Sequence, residues 1–228
     1  MRRIVDLTLP IEEHWRYGIK FVPQKTHANH DPWQCTAYNL ESHWFTHIDY
    51  PIHFDPEGET SDDYPIEDWC VSECLVLDLS YIGDNTPITP EMLDKANEKY
   101  KDKHFDTILI RTDRGKKVDW KTTTYWDTSP WITDEAGMWI RDYHPKAVGY
   151  DFPQDYVIRK LRTMKPGDGT DLTQPCHNRV LVEGKILQME YMHNFWSIGA
   201  DTCTLVCLPL NIQHADGGQI RVIAIVDD

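Results

Sequence analysis

The stretch Ser42-His43-Trp44-Phe45-Thr46-His47-Ile48-Asp49-Tyr50-Pro51-Ile52-His53-Phe54 decides how the rest of this chain is interpreted. It contains three histidines and one aspartate with the spacing H-x-x-x-H-x-D-x-x-x-H. Imidazole and carboxylate groups are the ligands that a catalytic zinc or manganese ion takes, and about four of them fix such an ion. The stretch therefore supplies most of the ligands of one metal ion, and the remaining ligands must come from elsewhere in the chain.

The same four residues can be brought to one point by simple backbone geometry. In a strand, side chains alternate, so His47 and Asp49 would share one face, and His53 would join them if the strand continued. His43 lies about one turn upstream if the segment bends there. A lone histidine in such a place is more often a polar residue with a backbone partner. The density of four ligand-type residues favours a metal site instead.

Composition limits the class of protein. The chain has 228 residues without a Ser/Gly-rich linker, a charge block or a repeat, so we expect one domain spanning residues 1–228. Its 37 acidic and 23 basic residues give a net charge of −14. Phosphate backbones and anionic membranes repel such a chain, which argues against nucleic-acid or membrane partners. A small anionic substrate is still allowed, because a bound dication can dominate the local field.

The N-terminal sequence and the cysteines indicate a cytoplasmic protein. Met1-Arg2-Arg3-Ile4-Val5-Asp6 lacks the apolar core of a secretion signal, and no apolar run reaches the roughly 18 residues that span a bilayer. The six cysteines are therefore expected to be reduced thiols. Two pairs have three-residue gaps, Cys70/Cys74 and Cys203/Cys207, which could indicate a structural zinc. Their apolar surroundings favour buried strands instead.

The order of apolar segments predicts an α/β fold, a single domain with a mixed β-sheet core and flanking helices. We expect strands at residues 4–11, 74–79, 107–112, 147–151, 185–190, 203–207 and 220–226. Helices are expected to begin near Thr89, which Pro90 and Glu91 follow, and near Thr133. Residues 12–34 are predicted to be irregular: a lid, an arm onto a partner subunit, or a surface loop.

The pattern His43-x-x-x-His47-x-Asp49-x-Pro51-x-His53 resembles the signature of the cyclase-like metal-dependent hydrolases, the family of kynurenine formamidase and isatin hydrolase. Further similar segments follow in family order: 4–8, 71–78, 110–112, 148–151, 208–210 and 214–221. The resemblance implies the swivelling β/β/α fold of that family. It also implies a homo-oligomer, a dimer or a tetramer.

The resemblance also implies a ligand set. His43, His47 and Asp49 would hold one ion, His177 a second, and Asp49 and Glu190 would bridge them, with zinc or manganese as the metal and one or two ions bound. Glu183 and Gln188 are alternatives to Glu190 as the distal ligand. His53 would be free of metal and move protons, or else act as a fifth ligand or orient one.

The family pattern usually has a small residue and then glycine before the Thr-His pair, where this chain has Trp44 and Phe45. We expect these two aromatics to line the pocket and bind substrate. The resemblance implies that Trp15 also binds substrate there, and a contact with a partner subunit is the alternative for Trp15. The implied activity is hydrolysis of a C–N bond in a small formamide or cyclic amide by metal-activated hydroxide. A lactone or ester hydrolase with the same site, or a non-catalytic metal-binding protein, are the alternatives.

Overall fold

The computed structural model describes residues 2–160 and 174–227. Strands in these ranges are β1 Arg2–Asp6, β2 Phe21–Lys25, β3 Cys35–Tyr38, β4 His47–Asp49, β5 Val71–Asp78, β6 Pro87–Ile88, β7 Thr107–Arg111, β8 Trp131–Ile132, β9 Ala147–Tyr150, β10 Leu187–Glu190, β11 Thr202–Pro209 and β12 Gly217–Asp227. Eight of them form one sheet in the order β1-β12-β11-β5-β7-β9-β10-β4. Strands β2 and β3 form a separate hairpin, and β6 pairs with β8.

The large sheet is mixed and closes on itself. Strands β5, β7, β9 and β10 run parallel to their neighbours in that series, and the other pairings are antiparallel. Residues 217–219 of β12 pair with β4, whereas residues 220–225 of β12 pair with β11. Strand β4 is therefore held on both sides, by β10 and by β12, and completes the ring of strands.

The helices are α1 Pro90–Asn97, α2 Arg114–Lys117, α3 Thr123–Asp127 and α4 Asp134–Tyr143, followed by a π-helix, Cys176–Glu183. Helices α1 and α4 and the π-helix cover one face of the parallel strands. Leu93 of α1, Ile140 of α4 and Val180 of the π-helix pack in one buried cluster with Leu75 and Leu77 of β5. The alternate residues of β5 face a second cluster, so this strand is buried on both faces, as parallel strands usually are.

The predicted α/β class with a mixed sheet and flanking helices is confirmed. The predicted start of the first helix is also found: Pro90 occupies its first turn. Cys74 and Cys203 lie in strands as predicted, and they stand opposite each other in the β5–β11 register. Cys70 and Cys207 are joined by a backbone hydrogen bond of 2.8 Å at the end of the same pairing.

Three local expectations were wrong. The first strand ends at Asp6 instead of residue 11. Residues 12–34 are not irregular throughout, because they contain β2, whose partner β3 follows. Strand β4 stops at Asp49, and a short 3-10 helix, Pro51–His53, replaces the alternation expected there. No helix within the described ranges is both long and apolar enough to cross a membrane.

Candidate metal centre

Two neighbouring strands, β4 and β10, place the central ligand-type residues together. In their antiparallel register Glu190 stands opposite His47, and Gln188 stands opposite Asp49. His47 and Asp49 are two residues apart, so both side chains emerge on the same face of the sheet. All three of His47, Asp49 and Glu190 are buried, with at most 3% of each exposed.

Five of the predicted ligands converge on this point. Asp49 Oδ1 lies 2.7 Å from His43 Nδ1 and 3.2 Å from His47 Nε2. Asp49 Oδ2 lies 3.5 Å from His177 Nε2. The two oxygens of Glu190 divide in the same way, with Oε2 3.7 Å from His47 Nε2 and Oε1 3.4 Å from His177 Nε2. Each carboxylate thus presents one oxygen to the His47 side and the other to His177, which is the geometry that a bridging carboxylate needs.

In each of the three histidines that face Asp49, the ring nitrogen on the far side lies within hydrogen-bond distance of an oxygen atom. The pairs are His47 Nδ1 with Phe45 O at 2.8 Å, His177 Nδ1 with Asp155 Oδ2 at 2.6 Å, and His43 Nε2 with Asp216 Oδ2 at 2.8 Å. Such a partner fixes the tautomer and the ring plane of a metal-binding histidine. The nitrogen left over in each ring is the one that faces Asp49.

The electrostatics of the cluster fit a divalent cation. Asp49 Oδ2 is buried and accepts no hydrogen bond from the described residues. Burial and the nearby charge of Asp49 raise the pKa of Glu190 to about 7. Burial also lowers the pKa of His43, but its hydrogen bonds to Asp49 and Asp216 outweigh this and raise it to about 9. Protons thus take the place of positive charge that the buried carboxylates require.

His53 stands beside this cluster with its ring free. The 3-10 helix that starts at Pro51 brings it over His43, with ring centroids 3.6 Å apart, and 5.5 Å from the His177 ring. Within the described ranges its imidazole makes no hydrogen bond. Burial lowers the pKa of His53 to about 4, so it is neutral at pH 7 and can accept a proton. A ring nitrogen of His53 also lies within 4.8 Å of ligand atoms of His43 and Asp49, so the alternative of a further ligand stays open.

The structure separates the three candidates for the distal ligand. Glu183 is exposed and pairs with Arg179 and with Arg141, the latter at 2.8 Å. Gln188 is buried opposite Asp49 and does not belong to the described cavity wall. Glu190 alone of the three reaches both His47 and His177.

A cavity of about 680 Å³ opens over the cluster. Trp15 and Trp44, both predicted to bind substrate, line it. Phe45 does not: it is fully buried and packs behind the wall, 4.6 Å from the ring of Tyr17. The prediction that Phe45 contacts substrate is therefore wrong. Its backbone has a φ of 57°, which turns the side chain into the core while its carbonyl accepts from His47.

Sequence reasoning missed three residues that support the ligands. Gln154 donates a hydrogen bond to Glu190 Oε1, and the neighbouring Asp155 bonds to His177. Both follow the end of β9, where side chains at the carboxyl edge of a parallel strand are available to a site. Asp216, the partner of His43, directly precedes β12. For Gln154 and Asp155, the position after a predicted strand was the signal that could have found them.

Known proteins resemble this chain over most of its length. A family model described as "Putative cyclase" matches residues 5–154, which is more than half of the chain. The chain belongs to this cyclase family. Kynurenine formamidase from Salinibacter ruber is 26% identical over 191 residues, covering 82% of this chain and 77% of that protein. Kynurenine formamidase from Bacillus thuringiensis is 23% identical over 186 residues, covering 81% and 76%.

Solved structures share the fold of this cyclase-family chain. Isatin hydrolase A from Labrenzia aggregata, bound to benzyl benzoate, has a TM-score of 0.76 at 22% identity, covering 100% of this chain and 94% of that one. An isatin hydrolase bound to the product analogue thioisatinate has a TM-score of 0.80 at 17% identity, covering 100% and 93%. At these identities the likeness establishes the architecture alone.

Proposed function

We propose that this cyclase-family chain is a metal-dependent hydrolase that cleaves the C–N bond of a small formamide or cyclic amide. The observation that carries the proposal is the convergence of three histidines on the buried carboxylate of Asp49, with the carboxylate of Glu190 beside them. Asp49 Oδ2 accepts no hydrogen bond from the described residues, and the ring of His53 stands free next to the cluster. Kynurenine formamidase and isatin hydrolase, the similar proteins, are named for hydrolysis of such compounds, which supports the reaction class.

His43, His47 and Asp49 would hold one ion, His177 would hold a second, and Asp49 and Glu190 would bridge them. Zinc and manganese both accept this mixture of imidazole and carboxylate. A bound divalent cation lowers the pKa of water to about 7 and would so supply hydroxide at neutral pH. Four of these five side chains, all except His43, are buried, so the fold holds their ligand atoms in place and largely out of bulk water.

His53 is the proposed proton-transfer residue. It lines the cavity, carries no hydrogen bond from the described residues and is neutral at pH 7. One ring nitrogen can therefore take the proton released as water attacks the carbonyl and return it to the departing nitrogen. General acid–base help of this kind contributes roughly 10²–10⁴-fold. The sequence has no G-x-S-x-G motif that would indicate a serine nucleophile.

Replacement of His53 tests the catalytic role. We expect His53→Ala to keep its metal content and to lose at least about 100-fold in kcat on its best substrate, because proton transfer is lost. The assay is metal analysis together with a turnover screen of formanilides, isatin-like lactams and lactones. His104→Ala, at an exposed position outside the cavity, is the matched control. Undiminished turnover by His53→Ala would contradict the role, and a metal-loaded wild type without turnover would favour a binding protein.

The distal ligand is tested by a pair of identical substitutions. Glu190→Gln should lower the bound metal, because a carboxylate that faces His47 and His177 becomes a weaker, neutral amide. Glu183→Gln should leave the metal content unchanged, since Glu183 only pairs with surface arginines. Metal per chain is measured by mass spectrometry after dialysis. The assignment fails if Glu183→Gln loses metal and Glu190→Gln does not.

A further inference from the structure

One cationic side chain shares the cavity with the candidate metal centre. Arg16 lies on the wall together with Trp15 and Tyr17, and it is the only lysine or arginine among the described lining residues. Its guanidinium carbon stands 4.2 Å from the centre of the Trp126 ring. Trp126 is itself 1% exposed, so the guanidinium covers a buried aromatic face and borders the cavity on its other side.

Arg16 has no carboxylate partner in the part of the chain that the structure describes. Most arginines of this acidic protein are paired, as Arg114 is with Asp84 and Arg221 is with Asp6. A guanidinium carries five N–H donors in a planar fork that matches a carboxylate. The Arg16 guanidinium lies over the ring of Trp126, which restrains its position. Its donors have no ion-pair partner among the described residues.

Two aromatic rings connect Arg16 to the metal cluster. The ring of Trp126, over which Arg16 lies, has its centroid 5.0 Å from that of Tyr191, and the Tyr191 centroid is 5.3 Å from that of His47. Tyr17 and Tyr191 both line the cavity that Arg16 and the cluster share. A small molecule that contacts the cluster can extend past these tyrosines to Arg16.

The walls between the two positions are aromatic. Tyr17 and Trp44 have ring centroids 5.7 Å apart, and Trp15 completes this side of the cavity. Flat apolar walls favour a planar ring, and a fixed guanidinium favours an anion. The other charged side chain outside the cluster, Glu41, is exposed, and water screens its charge.

We propose that Arg16 binds the carboxylate of an anionic aromatic substrate, whose reacting carbonyl lies at the metal cluster. The inference rests on the proposed hydrolase function and narrows it to formamides or cyclic amides that carry a carboxylate away from the reacting carbonyl. In a chain with a net charge of −14, a local guanidinium offsets the repulsion that such a substrate meets on approach.

Kinetics on substrates with and without a carboxylate test the proposal. Formanilide is compared with 2-, 3- and 4-formamidobenzoate, which differ from it only by a carboxylate at a known ring position. We expect at least one acid to exceed formanilide in kcat/KM. Arg16→Met keeps an apolar stem on Trp126 and removes the charge, and should reduce kcat/KM for that acid by about 10- to 100-fold, mainly through KM. Formanilide has no carboxylate, so the readout is the ratio of kcat/KM for that acid to kcat/KM for formanilide, which should fall in Arg16→Met.

Two further variants separate recognition from a structural role. Arg16→Lys keeps the charge and should retain part of the preference for the acid, whereas a purely structural arginine would show no such rescue. Arg2→Met, at an exposed position on the edge strand, is the matched control and should leave the preference intact. An unchanged ratio of acid to formanilide in Arg16→Met would overturn the proposal while the hydrolase function stands.

Measurement of ligand binding tests the role of Arg16 even if the enzyme turns over no formanilide. Quenching of tryptophan fluorescence gives the Kd of 3-aminobenzoate and of aniline for the metal-loaded wild type and Arg16→Met. We expect the Kd of the acid to rise about tenfold in the variant and that of aniline to stay constant. Absence of turnover would then count against the proposed function alone, and equal Kd values for the acid would count against Arg16.

Discussion

Phe45 shows how one residue connects the core to the candidate metal centre. Its φ of 57° lies in the left-handed region that favours glycine, which is the residue that the family pattern usually has there. The conformation directs the Phe45 carbonyl to His47 Nδ1, at 2.8 Å. The phenyl ring meanwhile fills a fully buried position next to Tyr17. Packing of the ring therefore compensates for a backbone that phenylalanine disfavours.

This balance predicts an unusual order of stabilities. Phe45→Ala should lower the free energy of unfolding by about 3–5 kcal/mol, because a buried ring is lost. Phe45→Gly should lower it by about 1 kcal/mol less, because glycine adopts a positive φ without strain. Urea denaturation of the metal-loaded proteins measures both. At Phe105, which is equally buried but has no positive φ, glycine should be worse than alanine. The same order at both sites would contradict the interpretation.

At the residue scale, the sequence alone predicted the candidate ligands that lie close together in the chain. His43, His47, Asp49 and His53 lie close in the chain, so their convergence followed from one motif. His177 and Glu190 needed the resemblance to a family, because nothing local marks them as ligands. Asp155 and Asp216 were not predicted, since each meets its histidine only through the tertiary arrangement of β9 and β12.

At the scale of elements, strands buried on both faces were the most predictable. The segments around β5 and β7 are continuous apolar runs, and both were located to within a few residues. The hairpin of β2 and β3 was missed, because it packs on no core and carries no alternation of buried and exposed residues. All of its strand residues are exposed. Only pairing between the two strands defines it, and single-sequence patterns do not show pairing.

This hairpin has the character of an arm for a second copy of the chain. Phe21 and Tyr38 form a cross-strand aromatic pair with ring centroids 6.0 Å apart, and they are 38% and 60% exposed. Trp33, in the connection, is 59% exposed. An exposed apolar cluster of this kind commonly marks a protein interface. We propose that it contributes to the homo-oligomer, a dimer or a tetramer, that the sequence predicts.

The proposal predicts a change of mass in solution. Sedimentation velocity should give the wild type a multiple of 26.7 kDa, and the double variant Phe21→Ser/Tyr38→Ser should shift toward the single-chain mass at equal concentration. Loss of buried aromatic surface would weaken the association. Tyr81→Ser, which removes a tyrosine that is 63% exposed outside the arm, is the control. A wild type with the mass of one chain would contradict the arm's role.

At the scale of the whole molecule, ring closure and the metal centre depend on the same strand. Strand β4 has only three residues, yet it pairs with both β10 and β12 and carries His47 and Asp49. Closure could not be predicted from the sequence, because a strand this short has no periodicity of its own. Because β4 pairs with both β10 and β12, a metal ion bound at Asp49 would also stabilise the pairings that close the sheet. Metal binding and folding are therefore expected to be linked.

Bound metal should raise the stability of the whole molecule. A cation at about 100 times its Kd stabilises the folded state by about 2.7 kcal/mol, so chelation should lower the melting temperature and returned metal should restore it. In the metal-free protein, His43 has a pKa of about 9 against its ordinary 6.5. Its stabilising contribution is therefore complete below pH 6.5 and is lost as the pH rises through 9.

Glu190 acts in the same direction at lower pH. Its pKa in the metal-free fold is about 7 against an ordinary 4.5, so its contribution is lost as the pH rises from 4.5 through 7. The metal-loaded protein holds neither proton, because both ligands bind in their deprotonated forms. The difference in melting temperature between loaded and chelated protein should therefore widen from about pH 6 to about pH 9. A difference that stays constant or narrows over this range would show that these two groups do not meet the metal.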